Sequence, residues 1–355
     1  MALRDLSEVP YLPILSLRPA EMRALEELPS QTKDRLLPIV HLRPWVGSHF
    51  LENALARMKD AYGDRPIVIA MGDVEIANNK PVHSELAHLR SQAGGFVNWC
   101  QFIRDNANFI PAIQYGALEA ESVQIQYFHS LGRGLFVIVD RAAFVALPQI
   151  AQRIGQLAEA GQDVCFVLDF GHASSDHLQV ALQVIAYIAT VRHYAPYSYI
   201  AFSASSFPDS FVGRVSQQSY ERRLFEQVIL QPDISRIIFS DRGSACAERI
   251  NGGGGQPAPR IDYPLPLDWN FYRSDLVGFP GYMQQADLLV RSAGVWNPNL
   301  RVWGTQMIER TAAGDTSAIG GAQKATAARI NLHLQRQTYF HDEENIENTD
   351  EDWNG

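Results

Sequence analysis

A (β/α)8 TIM-like barrel with an added extended and helical C-terminal segment is the fold class this chain predicts, on three observations. Eight short apolar runs recur in the first 240 or so of 355 residues, none longer than seven. Each gives way to polar or Gly-rich sequence and then a helix-sized segment, the alternation that builds parallel sheets with right-handed crossovers. No GxGxxG follows the first run, which removes the usual dinucleotide signature of an open doubly wound sheet. None of the eight runs has the less apolar look of an edge strand.

The runs are residues 12–17 (LPILSL), 36–41 (LLPIVH), 66–71 (PIVIAM), 109–115 (FIPAIQY), 135–140 (LFVIVD), 164–169 (VCFVLD), 199–203 (YIAFS) and 237–241 (IIFSD). Several are nearly continuous in Val, Ile and Phe, the mark of strands buried on both faces. Between them, residues 143–160 place Ile150, Ile154 and Leu157 at three- and four-residue spacing, which predicts a helix. Residues 176–190 repeat it with Leu178, Leu182, Ile185 and Ile188, and 217–231 less cleanly. The long connection 72–108 reads either as a helix over 82–93 with a second through 96–104, or as a lid inserted over the barrel mouth.

After Asp241 the texture changes. Residues 251–259 (NGGGGQPAP) oppose both helix and strand and read as a mobile loop. An extended aromatic stretch follows at 260–275, then a helix at 284–292, a strand or helix start at 302–310, and a closing helix at 321–337. The organisation predicted is a barrel core over 1–245, a Gly-rich loop, aromatic flap and C-terminal helices over 246–340 packed on it, and an acidic flexible tail over 341–355.

Thirty basic against 39 acidic residues give a net charge of −9, but seven of the acids lie in the last fifteen residues, so the body carries only about −2. That argues against nucleic acid and anionic membrane as general partners, while leaving room for a local basic pocket. Cys100, Cys165 and Cys246 match no paired metal-ligand spacing; Cys165 lies in an apolar run as a core thiol, and the sparse count suits a reducing compartment. Without a signal-peptide pattern or an apolar stretch near the roughly 20 residues that span a bilayer, the expected location is the cytoplasm.

Barrel enzymes carry their chemistry at the carboxyl ends of the strands. Ser16 and Arg18 share a strand face there, as do His41 and Arg43, so each pair is set to point into one mouth. Asp140, Asp169 and Asp241 each close an unbroken apolar run, and burying such a carboxylate unpaired is expensive. Arg18 and Arg43 are their expected partners. Two readings follow. In one, these residues form a structural ion network closing the barrel top. In the other, arginines hold an anionic substrate group bidentately while aspartates act as base or metal ligand.

Residues 169–177 (DFGHASSDH) make the densest cluster. Asp169, His172, Asp176 and His177 could supply a divalent cation, though at no established spacing, while Ser175 or Asp176 also reads as a helix cap. His172 is the member suited to general acid or base work. The serine segment at Ser203, with Ser205 and Ser206, is either an anion cradle or a hydroxyl-rich turn, without the GxSxG of a hydrolase elbow. The candidate catalytic residues are therefore Asp140, Asp169, His172 and Asp241, and the candidate ligand-binding residues Arg18, His41, Arg43, Ser203, Arg242 and Arg273. The aromatics Tyr263, Trp269, Phe271 and Tyr272 either stack on a ring of the ligand or fasten the segment to the barrel wall. Arg329 and His333 share a face of the last helix, against solvent or a neighbouring helix. Two function classes remain: an enzyme, a hydrolase or lyase, acting on a phosphate-bearing small molecule or nucleotide, and a non-catalytic barrel that binds a protein.

The chain resembles the beta protein family, a group known from phages and bacterial genomes, including prophage and defence-associated neighbourhoods. The residues that carry the likeness are the opening YLPILSLRPAEMRAL, the pair LLPIVHLRP, the strand-end aspartate of VIVD, the VLDFG segment, and the late block from Trp303 (WGTQMIERTAAG) into ARINLHLQRQ. It spans nearly the whole chain. The resemblance implies a phage- or prophage-linked cytoplasmic protein acting in phage–host conflict, such as antiviral defence, and implies no particular reaction.

Overall fold

The computed structural model describes residues 2–74, 79–246 and 258–349. Its strands are, in chain order, β1 (Tyr11–Ser16), β2 (Ile39–Leu42), β3 (Ile67–Met71), β4 (Phe109–Pro111), β5 (Leu135–Asp140), β6 (Val164–His172), β7 (Tyr199–Ser205), β8 (Ser216–Gln218), β9 (Ile237–Asp241), β10 (Arg260–Pro264) and β11 (Asp268–Arg273). Eight of these pair in parallel in the order β4-β3-β2-β1-β9-β7-β6-β5. The ring closes through one parallel bridge, Ala112↔Phe136, where the Ile113 N–H donates to the Phe136 carbonyl at 3.0 Å. This is the expected TIM-like barrel, and each of the eight apolar runs supplies one strand. The fourth run contributes only three strand residues, Phe109–Pro111, beyond which the Ala112 amide still donates to the Ile69 carbonyl at 2.9 Å.

Period-two alternation divides every strand between two cores. Leu12, Ile14, Ile39, Val68, Phe136 and Val167 fill the barrel interior. Tyr11, Leu15, Val40, Ile69, Val137 and Phe166 face outward beneath the helices. Leu6 and Val9, just ahead of β1, are buried in the interior cluster and close its N-terminal end.

Helices follow the strands in turn: Pro19–Glu26, Glu52–Tyr62, Leu118–Leu131, Leu147–Leu157, Ala181–Tyr194 and Tyr220–Ile229. The described part of the 72–108 connection packs as two helices on the barrel wall rather than as a lid. Its helices Pro81–Leu89 and Ala93–Asp105 bury Val82, Leu86, Phe96 and Trp99 in the outer core, and the Trp99 indole donates to the Ala112 carbonyl at 3.1 Å. Two helix expectations shift. The 143–160 segment begins as a 3-10 turn, Arg141–Ala146, before the helix starts at Leu147. The 176–190 segment likewise opens as 3-10 over Ser175–Val180, and the helix starting at Ala181 buries Val184, Ile188 and Val191, leaving Leu182 81% exposed.

The eighth helical position, over β9 and β1, is filled by the last helix, Ala322–Thr338, which also packs on the Pro19–Glu26 helix. Beyond it lies a smaller layer: β10 and β11 form an antiparallel hairpin extended by β8, with the helices Phe279–Val290 and Trp303–Ala312. The 302–310 segment is thus helical from Trp303 on. The glycines of the proposed mobile loop, at 252–255, lie outside the described residues. The described part of the acidic tail is attached, since Asp342 pairs with Arg35 at 2.6 Å and the Ile346 carbonyl accepts from Gln335 at 2.9 Å. Among the described residues no helix is long and apolar enough to cross a membrane.

Candidate barrel-mouth site

Because β6 and β7 run past the apolar runs that announce them, polar side chains stand directly above the interior core. Asp169 pairs in register with Asp140 on one side and Ser203 on the other, and Ser16 with His41. All five share strand parity with interior residues such as Ile14, Ile138 and Val167, so they look inward at the C-terminal end.

Asp169 is the buried anion of this rim. Its carboxylate accepts from the Arg242 guanidinium and, at 3.1 Å, from the Gly171 amide. Gly171 adopts φ +69°, a conformation that lets its N–H turn back onto the acid. Burial pushes the Asp169 carboxyl above its usual range, the Arg242 charge opposes this, and the Asp140 charge adds to it. Asp140 is itself exposed and caps the following 3-10 turn, accepting from the Ala143 amide at 2.9 Å.

His41 is held neutral. Burial lowers its pKa to about 4, helped by the Arg242 and Arg43 charges and opposed by Asp73. Glu21 is raised to about 7 by burial, against the charges of Arg18, Arg43 and Arg329 and a bond from the Ser16 amide. Arg18 and Arg43 thus act on Glu21, Arg43 and Arg242 on the half-buried His41, and Arg242 on Asp169, so arginines from three different strand ends act on the acids and imidazole of this rim. Ser203 adds a fully buried hydroxyl with no hydrogen-bond partner among the described residues. Its neighbours are structural: Ser205 donates to the Ala245 carbonyl at 2.6 Å, and Ser206 binds Glu221.

The described contacts give the three aspartates other partners than the expected Arg18 and Arg43: Asp169 pairs with Arg242, Asp140 caps the 3-10 turn, and Asp241 faces elsewhere. On β9 it shares the outward parity of Phe239, away from the mouth. Tyr11 donates to its Oδ1, the Gly243 amide reaches the same oxygen at 2.7 Å, and His333 Nε2 lies 2.6 Å from Oδ2. Burial works to raise this carboxyl, yet His333, Tyr11 and Gly243 together hold it below the ordinary value. His333 and Arg329 are thus turned to neither solvent nor a neighbouring helix: His333 is 1% exposed against Asp241, and Arg329 lies 2.7 Å from Asp262 in β10.

His172 stands exposed at the end of β6, near the buried His177, whose pKa burial lowers to about 4. No side-chain cap bond forms at the start of the 3-10 turn there, and Asp176 is exposed. Arg273 is exposed at the far end of β11, opposite Arg260, and no described contact joins it to the rim. The aromatics fasten the outer layer: Trp269 stacks on His333 with ring centres 5.6 Å apart and donates to Ser244 at 2.8 Å, while Phe271 packs edge-on against Phe207.

Sequence reasoning missed Glu21, and the signal was present. It stands three residues after Arg18, in the first turn of the helix opened by Pro19, where the turn folds it back toward the strand end. Among the described residues, no group of three or more His, Cys, Asp or Glu is placed to hold a metal ion.

The profile of the family described as Beta protein matches residues 11–339. Protein beta of Enterobacteria phage P4 is 27% identical to the chain over 355 positions, covering 95% of this chain and 97% of that protein. A match that runs from the first barrel strand to the end of the helix that completes the ring places this chain in the beta protein family.

Proposed function

We propose that the C-terminal mouth of the barrel binds the phosphate of a small molecule or nucleotide and acts on it as a hydrolase or lyase. The observation that carries this reading is that Arg18 and Arg43 line one cleft at the strand ends and Arg242 pairs with the buried Asp169 at the same end of the barrel, with Glu21 and the half-buried His41 within reach of their charges. Guanidinium forks suit phosphate oxygens, and a low-dielectric rim strengthens their pull. Glu21, with a pKa of about 7, is matched to donating a proton to a leaving oxygen near neutrality. Asp169, once a ligand phosphate competes for Arg242, is the group set to accept one. Kinship with a phage P4 protein is compatible with a phage- or prophage-linked setting for such an activity.

Calorimetric titration of the full chain with inorganic phosphate, pyrophosphate and nucleotides tests the reading. Binding is expected, and Arg43→Ala or Arg242→Ala should weaken it about 10- to 100-fold, the loss of one charge-assisted contact. The same variants should raise the His41 pKa, seen in its ring-proton NMR titration, because each removes a positive charge beside it. A wild-type chain that binds none of these anions would remove the basis for the site.

A further inference from the structure

A cleft of about 270 Å3 opens beside the mouth, lined by Arg18, Arg43, Trp45, Ser48, Lys80 and His83. Two of its arginines are those whose charges act on Glu21 and His41, so cleft and mouth share a wall. Two helices also begin here. Pro19–Glu26 and Pro81–Leu89 both open with proline, and their N-cap residues, Arg18 and Lys80, make no side-chain cap bond. Their positive dipole ends add to a cationic lining. The Lys80 ammonium also donates to the Gly47 carbonyl at 3.0 Å, which fixes the 44–48 loop as the cleft's outer lip.

Trp45 gives the cleft a second chemistry. It is half-buried, and the Arg57 guanidinium, 5.9 Å from its ring centre, lines with it a second, neighbouring groove. The cleft is smaller than the roughly 300–1,000 Å3 of sites that enclose a whole drug-sized ligand, so it suits one part of a larger one. An aromatic face among cations, continuous with a phosphate-binding rim, is the combination that receives a nucleobase and its phosphates.

We infer that this cleft receives the base of a nucleoside diphosphate or triphosphate, stacked on Trp45, while its phosphates span Arg18 and Arg43 into the mouth. The inference rests on the mouth being an anion site and narrows its substrate class from phosphate-bearing molecules to nucleotides.

Titration of the full chain with ADP, ribose 5-phosphate and pyrophosphate separates the two ideas. ADP should bind about tenfold or more tightly than pyrophosphate. Trp45→Ala should erase that preference, and Trp45→Phe should keep most of it, with pyrophosphate affinity unchanged in both. If Trp45→Ala fails to fold, ADP should still quench tryptophan emission in the wild type and not in Trp45→Phe. Equal affinities for ADP and pyrophosphate in the wild type would overturn the nucleotide assignment and leave the anion site standing, as would a preference that survives Trp45→Ala or quenching unchanged in Trp45→Phe. Absence of binding by all three ligands would overturn both.

Discussion

Glu21 is a carboxyl that folding prefers protonated. With a folded pKa of about 7 against an ordinary 4.5, the native state holds more protons than the unfolded chain between those values, so stability falls as pH rises through that window. Glu21→Gln keeps the shape and removes the ionisation. Chemical denaturation should find it about 1–3 kcal/mol more stable than the wild type at pH 8, with the difference gone below pH 4.5. His41 works with the opposite sign. Its pKa is about 4 in the fold and 6.5 ordinarily, so the unfolded chain gains the proton first and stability is lost as pH falls from 6.5 to 4. A His41→Gln variant should lose less stability over that interval, read from melting temperatures across the same buffers. The two windows overlap on the acid side of neutrality with opposite signs and partly offset, the cost of keeping a partly protonated acid and a neutral imidazole among arginines.

The last helix is unlike the others because nearly all of its second half is buried, polar residues included. Each long polar side chain finds a specific partner. Asn331 accepts from the Gly304 amide at 2.9 Å and donates to the Ala24 carbonyl at 3.0 Å, and Arg336 reaches the Tyr263 hydroxyl at 2.8 Å. The helix therefore joins the barrel to the outer layer through hydrogen bonds as well as packing. Removing the acid from the Asp241–His333 pair leaves a buried imidazole and phenol unsatisfied, so Asp241→Ala should cost about 3–5 kcal/mol in denaturant unfolding. Gly304→Ala should also destabilise, by about 2 kcal/mol or more. A Cβ there would lie 2.7 Å from the Ala328 carbonyl, and neither backbone can retreat without parting the two helices. Hydrophobic periodicity cannot reveal such a helix: a sequence reading expects polar positions like Arg329 and His333 against solvent or a neighbouring helix, and only the pairing of distant charges buries them.

Across the whole molecule, the barrel was legible because each strand is buried on both faces, so Val, Ile and Phe mark it without reference to the rest of the chain. The mouth was legible in part. Arg18, His41, Arg43, Asp169 and Arg242 follow from strand ends and parity, whereas Asp241 has the same local signature and the opposite facing. One residue of register decides between mouth and outer core, and a terminal Asp gives no sign of it. Register also sets the weakest join of the ring. Between β4 and β5 a single bridge replaces the ladder seen elsewhere, so hydrogen exchange at the Ile113 amide should be much faster than at Val167 or Ala201 in β6 and β7, as measured by NMR or mass spectrometry. At the opposite end, Leu6 and Val9 act as a stopper. Among the described residues, then, the barrel axis is blocked at that end, so a molecule held above the interior core would have to enter and leave from the same side, one visitor at a time.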